Sequence, residues 1–533
     1  MKSNYVLLAM LITGSILFTA CGGGGGGGGG PAPSPSPGGG ASFTVGGMVS
    51  GLASGTLVLQ NNSSDNLTIS TNGVFTFATA ISDGASYSVT VLTQPSGLSC
   101  AVSNNTGTVS GADVTNVAVV CSASAGAWGS PELIEFDDTH STGTEPQVAA
   151  DTSGNAIAVW IQSDGTDNNV WTNRYTASVG WGTPELIEGT AGNATQPQIA
   201  MNAAGNAVVV WQQDDGTHDN IWANRYTVSS GWETATLLET NDSSNASTPQ
   251  VGMDDTGNAI VTWGQGGIWV NQYTAGTGWG TATLIMNTVG SPRIAMSSSG
   301  NAIVVGRSGS NNELWASHYT PGSGWSTATS IETVGGGGAT FHQLAIDKDG
   351  NGMLVWESYV GVEISIWAKY YTAGVGWGTS GAIENDAGTA YVPQVAFDST
   401  GNAIAVWRWY FDDGTTFPKY NIWANRYVKG TGWGTATLVE PNDNNGDAYP
   451  PQLGMDADGN AIVVWNQSDG DSYIWANRYT AGVGWGTPEI IDKDKSTDHN
   501  PDVAVDHDGN AIAVWQQYDG STFLHNIWAD RFQ

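Results

Sequence analysis

Hydrophobic and polar positions alternate along most of this chain in runs too short for helices, and the runs are of two kinds. From residue 42 to 124 they are irregular: FTVGGMVSG, GTLVLQN, NLTIS, GVFTFAT, SYSVTVLTQ and VTNVAVVC, punctuated by Gly, Asn, Asp and Ser. Two-residue alternation broken by turn residues at roughly 8–12-residue intervals predicts a small antiparallel β-sandwich. Over residues 128–533 one pattern returns eight times. Its second copy reads WGTPELIE, then PQIAMNAAGNAVVVWQQDDGTHDNIWANRYT, and holds four strand-like runs: ELIE, PQIA, AVVVW and IWANRYT. Four strands at a period of 46 to 56 residues predict an all-β chain whose larger part is an eight-bladed β-propeller with four-stranded blades; a cylinder or solenoid is the alternative.

Tryptophan marks the period. Each copy opens on one, from Trp128 to Trp485, and carries a third near its end, from Trp171 to Trp528. A second falls five residues after a Gly-Asn pair, from Trp160 to Trp515, except that Gly306 takes the slot in the fourth copy. Trp409 alone of the 24 tryptophans stands outside these sets, so bulk packing is their expected role. The repeats open on WGSPELIE and stop at NIWADRFQ, so the first ELIE strand is available to complete a sheet with the last three strands and close the ring.

An Asp, two residues and Gly-Asn join the PQIA and AVVVW runs in most copies, with Asn202 and Ser297 replacing Asp in two. Asp accepting backbone amides and Gly at positive φ explain such a turn without a ligand. It resembles the Asp-box hairpin of sialidases, though with two residues rather than one between Asp and Gly. Asp456, Asp458 and Gly459 also resemble part of a calcium loop, without its first ligand and terminal Glu; no cofactor is expected, and calcium is the one metal to consider.

The N-terminus is of another kind. Lys2, an apolar run from Tyr5 to Phe18, and Thr19-Ala20 form an export signal over 1–20. Phe18-Thr19-Ala20-Cys21 resembles a bacterial lipobox with Phe for the usual Leu, which implies acylation of Cys21; an ordinary secretory signal is the alternative. Residues 21–41, nine glycines then PAPSPSPGGG, make a tether without a core. The resemblance implies a lipid-anchored protein of the cell envelope, at a bacterial outer membrane or cell surface. The 42–124 unit resembles the Ig-like spacer modules of bacterial surface proteins. Cys100 and Cys121, the only other cysteines, are expected to form a disulfide in an oxidising compartment.

Charge narrows the partners. Fifteen Lys and Arg against 48 Asp and Glu give −33, which excludes nucleic acid and anionic membrane surfaces as partners. Within the repeats, the spacings from Asn to the second tryptophan and from the third tryptophan to the next opening one are fixed, at five and ten residues. The other two connections vary. Antiparallel strands send successive connections to opposite faces, so the variable loops share one face, the expected binding face. Those loops carry Asp137, Asp138, Asp164, Asp167, Asp214, Asp215, Asp219, Asp412, Asp413, Asp443, Asp447, Asp469, Asp471, Asp494 and Asp498, with His140, His218, His342, His499 and His525. If the PQIA strand is innermost, Gln147, Gln198, Gln250, Gln343, Gln394 and Gln452 ring the channel mouth, with Arg293 and Asp502 in the other two copies.

Catalysis needs unlike residues converging once, whereas this chain repeats like residues. The exceptions Arg293, Arg307, His342, Glu357, Arg408, Trp409 and Tyr410 are therefore the only catalytic candidates, and no catalytic site is assigned to them; Arg293, Arg307 and Arg408 join Gln147, Gln198, Gln250, Gln394 and Gln452 as candidate ligand-binding residues. A sialidase-like hydrolase would need Arg293, Arg307 and Arg408 to meet. The run from AVW through NIWANRY to GW is similar to the repeats of fucose-binding propeller lectins, which implies sugar sites between blades at Arg174, Arg225, Arg426, Arg478 and Arg531; Gln272, His318 and Tyr370 depart from the pattern. Alternatively each Arg pairs with a Glu across the sheet. The expected function is a membrane-anchored, non-catalytic and monomeric scaffold for a protein or glycan, with lectin and glycoside hydrolase as alternatives.

Overall fold

The computed structural model describes residues 41–533 except 53–55, 94, 96–97, 124–125, 136–141, 241–242, 288–289, 309–311, 333–337, 361–362, 385–387, 412–418, 441–445, 469–471, 493–497 and 521–523. The export signal, Cys21 and the tether lie outside the described residues, as do Asp137, Asp138, His140, Asp412, Asp413, Asp443, Asp469, Asp471 and Asp494.

Every described regular element is a β-strand. In the first unit, two four-stranded sheets enclose one core. One sheet runs Gly73–Thr76, Val45–Ser50, Val114–Ala123, Leu98–Ser103; the other runs Asp65–Ile69, Leu57–Asn61, Ser86–Thr93, Thr106–Thr108. Alternation sets the faces: Leu57 and Leu59 point inward with Val45, Phe77, Val89 and Val119, while the residues between them turn outward. The sandwich is not purely antiparallel. Val45–Ser50 pairs parallel with Val114–Ala123, because the first and last long strands of the unit meet in mid-sheet after the chain has passed through the other sheet. Cys100 and Cys121 are directly opposed on adjacent strands and form the expected disulfide.

Eight sheets follow, each built alike. In the second blade, Ala194–Met201 is innermost, then Ala207–Asp214, then Asp219–Thr227. The outermost strand is in two pieces, Gly231–Trp232 and Thr236–Leu237, which pair with the end (Tyr226, Thr227) and the middle (Trp222, Ala223) of Asp219–Thr227. The run that opens each sequence unit therefore completes the blade before it. Inner strands contact those of the blades on both sides, and the circuit closes from Asp498–Val505 back to Gly143–Ala150. Eight blades thus surround one axis, lined by the PQ strands. The last blade takes its outer strand from the start of the repeats: Glu132 pairs with Ala529, Leu133 with Trp528, and Trp128 bridges Phe532.

The second strand of each blade is apolar on both faces because both are covered by neighbouring blades; Ala156 to Trp160 are all buried. Trp160 packs on Ile512, Val514 and Ile527 of the eighth blade, and Trp211 on Val159 and Val170 of the first. Both indoles are fully buried, and each Nε1–H donates to a Gln two residues on, Gln162 and Gln213, at 2.9 Å. Gly306 leaves the fourth slot open, and the Cδ1 of Ile268 moves into it: a Cβ on Gly306 would lie 2.0 Å from that methyl.

The Gly-Asn turns form a second ring. Asp254 Oδ1 accepts the Asn258 amide and the Thr256 hydroxyl, and its Oδ2 accepts the Asn258 carboxamide, all at 2.8 Å. Gly205 needs its φ of +82°, and a Cβ there would meet Asp151 Oδ2 of the preceding blade at 2.8 Å.

Candidate inter-blade and axial sites

The Arg-Tyr dipeptide at the end of the third strand builds the gaps between blades. Consecutive strand residues face opposite ways, so each Arg reaches forward to the next blade and each Tyr backward. Where Arg is present it faces the Tyr of the next blade, or Phe532 in the eighth. The guanidinium of Arg225 lies 4.8 Å from the Tyr273 ring centroid, Arg531 5.1 Å from Tyr175, Arg478 5.3 Å from Phe532, and Arg174 5.8 Å from Tyr226. These are cation–π distances. The aromatic is held in turn by the outer-strand tryptophan of its own blade, as Tyr175 by Trp181 at 5.5 Å and Tyr273 by Trp279 at 5.4 Å.

Three gaps open into cavities with one composition. Arg225 with Tyr273 and Trp279 lines about 450 Å³, Arg426 with Tyr479 and Trp485 about 380 Å³, and Arg531 with Tyr175 and Trp181 about 280 Å³. The third is also lined by Glu132 and Asp530, and the first by Glu233, which follows its tryptophan where most copies have Gly and accepts from Arg225 Nη1 at 2.8 Å. Arg225 thus pairs with a Glu across the sheet as the sequence allowed. Arg174 instead donates to the Thr176 hydroxyl at 2.7 Å. Two gaps without Arg are filled by stacked rings, His318 on Tyr371 at 4.2 Å and Tyr370 on Tyr427 at 5.3 Å. Burial pushes the His318 imidazole down to about 4, so it stacks uncharged. The notches are lined by turn residues such as Thr277 and Gly278, on the face of fixed-length connections rather than the variable face expected for binding.

The variable face has a different opening. A cavity of about 740 Å³ on the axis is lined by Gln147, Gln198, Gln250, Gln452 and Arg293. The Nε2 groups of Gln147, Gln198 and Gln250 donate to the preceding proline carbonyls at 2.8–2.9 Å, which fixes the carboxamides alike. Gln394 has the same register in its blade, opposite Val406. Just before the PQ pair, Glu145, Gln196, Thr248 and Asn500 adopt positive φ of 50–54° at register shifts in the inner strand. These bulges, invisible in the polar pattern, turn their side chains onto the cavity rim. Neighbouring blades are tied there: Glu145 accepts the Gln196 amide at 2.7 Å, and Gln196 Oε1 the Thr248 amide at 3.2 Å. Asp502, in the eighth blade, accepts the Val148 amide at 2.9 Å, and burial pushes its carboxyl up to about 6.

Of the three catalytic-candidate arginines, Arg408 has surroundings apart from the other two. Arg293 lines the axial cavity; Arg307 and Arg293 act together on His342; Arg408 lies 3.5 Å over the Tyr420 ring and 5.4 Å from Tyr449. Glu357 is held by the Thr340 hydroxyl and the Val392 amide. Of the acidic rim, Asp164 and Asp215 accept amides of their own tight turns, which lowers both carboxyls. Among the described residues no group of acids, cysteines and histidines is arranged to hold a metal.

No protein-family model matches the chain, and no curated protein matches it. Similar solved structures include a lectin from Burkholderia pseudomallei, 12% identical, covering 68% of this chain and 100% of its own, with a TM-score of 0.44. A polysaccharide lyase is 11% identical over 66% and 92%, at 0.44, and the intramolecular trans-sialidase from Ruminococcus gnavus 13% identical over 73% and 94%, at 0.32. At these identities the likeness assigns no activity.

Proposed function

We propose that the propeller is a non-catalytic glycan-binding module whose ligands sit in the notches between blades. The observation that carries this reading is the threefold recurrence of one cavity with a forward-reaching Arg, a backward-facing Tyr and an outer tryptophan. A sugar presents C–H faces to an aromatic ring and hydroxyls to a guanidinium, which donates up to five hydrogen bonds and accepts none. The notch between the second and third blades adds Glu233 as acceptor, and that between the eighth and first adds Glu132 and Asp530. A separated Arg408, against Arg293 and Arg307, gives a hydrolase no shared carboxylate clamp. The first unit and the glycine-proline tether serve as spacer, and acylation of Cys21 would hold the module at the cell envelope.

A glycan array with the purified propeller tests this. The expected result is a saccharide hit that Arg225→Gln and Trp279→Ala each weaken at least tenfold. A blank array, or a hit indifferent to both substitutions, contradicts it.

A further inference from the structure

The axial cavity holds a charge that the fold does not neutralise. Six blades place Gln at the head of the inner strand, whereas the fourth places Arg293 there, on the cavity wall. Arg293 Nη1 donates to the Pro292 carbonyl at 3.2 Å, and among the described residues no carboxylate pairs with it. Burial lowers its pKa.

A second exception stands beside it. Proline precedes this position in seven copies, and His342 does so in the fifth. The imidazole is buried and is pushed down to about 3 by burial and by the charges of Arg293 and Arg307. Two guanidinium charges thus act on one buried, uncharged imidazole where the fourth and fifth blades adjoin. The 308–313 connection after Arg307 carries Glu313, which among the described residues forms no ion pair with Arg293 or Arg307. Arg293 is partly buried on the cavity wall without an ionic partner, and Gln meets the packing need in six equivalent places, so packing does not account for the Arg.

We infer that the axial cavity is a second ligand site, which takes an oxyanion, carboxylate or sulfate, on Arg293, with the polyhydroxylated remainder of an acidic saccharide on the carboxamides. The guanidinium offers a paired donor fork of the shape a carboxylate or sulfate accepts. Gln147, Gln198, Gln250 and Gln452 each supply both a donor and an acceptor, which suits hydroxyls. Glu145, also on the rim, is three blades from Arg293 and accepts the Gln196 amide, so it faces the hydroxylated end. This site shares no residue with the inter-blade notches and stands independently of them.

Calorimetric titration of the full chain with sodium glucuronate, sodium sulfate and glucose tests the inference on wild type and Arg293→Gln. Arg293→Gln installs the residue that six blades already use, so its ligand-free melting temperature should be unchanged or higher; a marked fall would assign Arg293 a structural partner and overturn the inference. Glucuronate should bind wild type at least tenfold more tightly than it binds Arg293→Gln, and at least tenfold more tightly than glucose binds wild type. Sulfate binding as tightly as glucuronate would overturn the saccharide half of the inference. No anion binding, or binding indifferent to Arg293→Gln, would overturn all of it.

Discussion

Arg531 Nη1 donates to the Tyr175 hydroxyl at 2.6 Å, with the guanidinium 5.1 Å from the ring, although 356 residues separate the two. The contact spans the seam where the chain's end meets its first blade. Beside it Ile134, buried on the borrowed outer strand, donates its amide to the Ile527 carbonyl at 3.0 Å. Closure therefore joins a packed side chain, a strand ladder and a charge-assisted hydrogen bond.

Tyr175→Phe should lower unfolding free energy by about 1–3 kcal/mol, the range for a hydrogen bond to a charged group. Ile134→Ala should lower it by about 2–5 kcal/mol, as for a buried aliphatic truncation. Denaturant unfolding checks both. No loss from Ile134→Ala would mean that the seam does not support the ring.

The buried and half-exposed tryptophans should behave differently. Trp211→Ala empties a fully buried slot between blades and should cost about 3–5 kcal/mol; Trp232→Ala, on the outer strand, should cost clearly less. The same chemical denaturation ranks them.

The Gly-Asn turn should depend on its acid but not on a metal. Asp254→Ala removes three hydrogen bonds inside the turn and should cost about 1–3 kcal/mol, whereas Asp254→Asn, the residue at Asn202, should cost less. Dialysis against EDTA should leave the melting temperature unchanged. A drop that calcium restores would show a metal at these turns.

Several carboxyls have pKa values raised by burial: Glu188 to about 7, Asp502 to about 6, and Glu357, Glu384, Asp456 and Asp506 in the same direction. A raised carboxyl binds its proton more tightly folded than unfolded, so stability falls as pH rises between the two values. For Glu188 that window runs from 4.5 to about 7, and for Asp502 from 3.8 to about 6. The melting temperature should decline from pH 5 to pH 7.5, and Glu188→Gln should flatten the decline. A rise over that range would contradict the burial assigned to these groups.

Period-two alternation and the Gly-Asn spacing made the blades legible in the sequence, since both follow from local backbone geometry. Closure was legible because WGSPELIE and NIWADRFQ are complementary parts of one unit. The radial order was not, because ELIE and PQIA are both short and partly polar; only packing shows that PQIA lines the axis and ELIE the rim. The parallel pair in the sandwich and the left-handed bulges at Glu145 and Asn500 also escaped, for Glu and Asn before proline read as ordinary loop residues. The forward Arg and backward Tyr were within reach: adjacency of Arg174 and Tyr175 on one strand already places them in different gaps.

Native mass spectrometry of the propeller with an array-identified saccharide tests the central claim most directly. Notches built alike should give more than one bound saccharide per chain, with Arg225→Gln lowering the maximum by one. A single bound saccharide whose occupancy ignores Arg225→Gln would contradict the account.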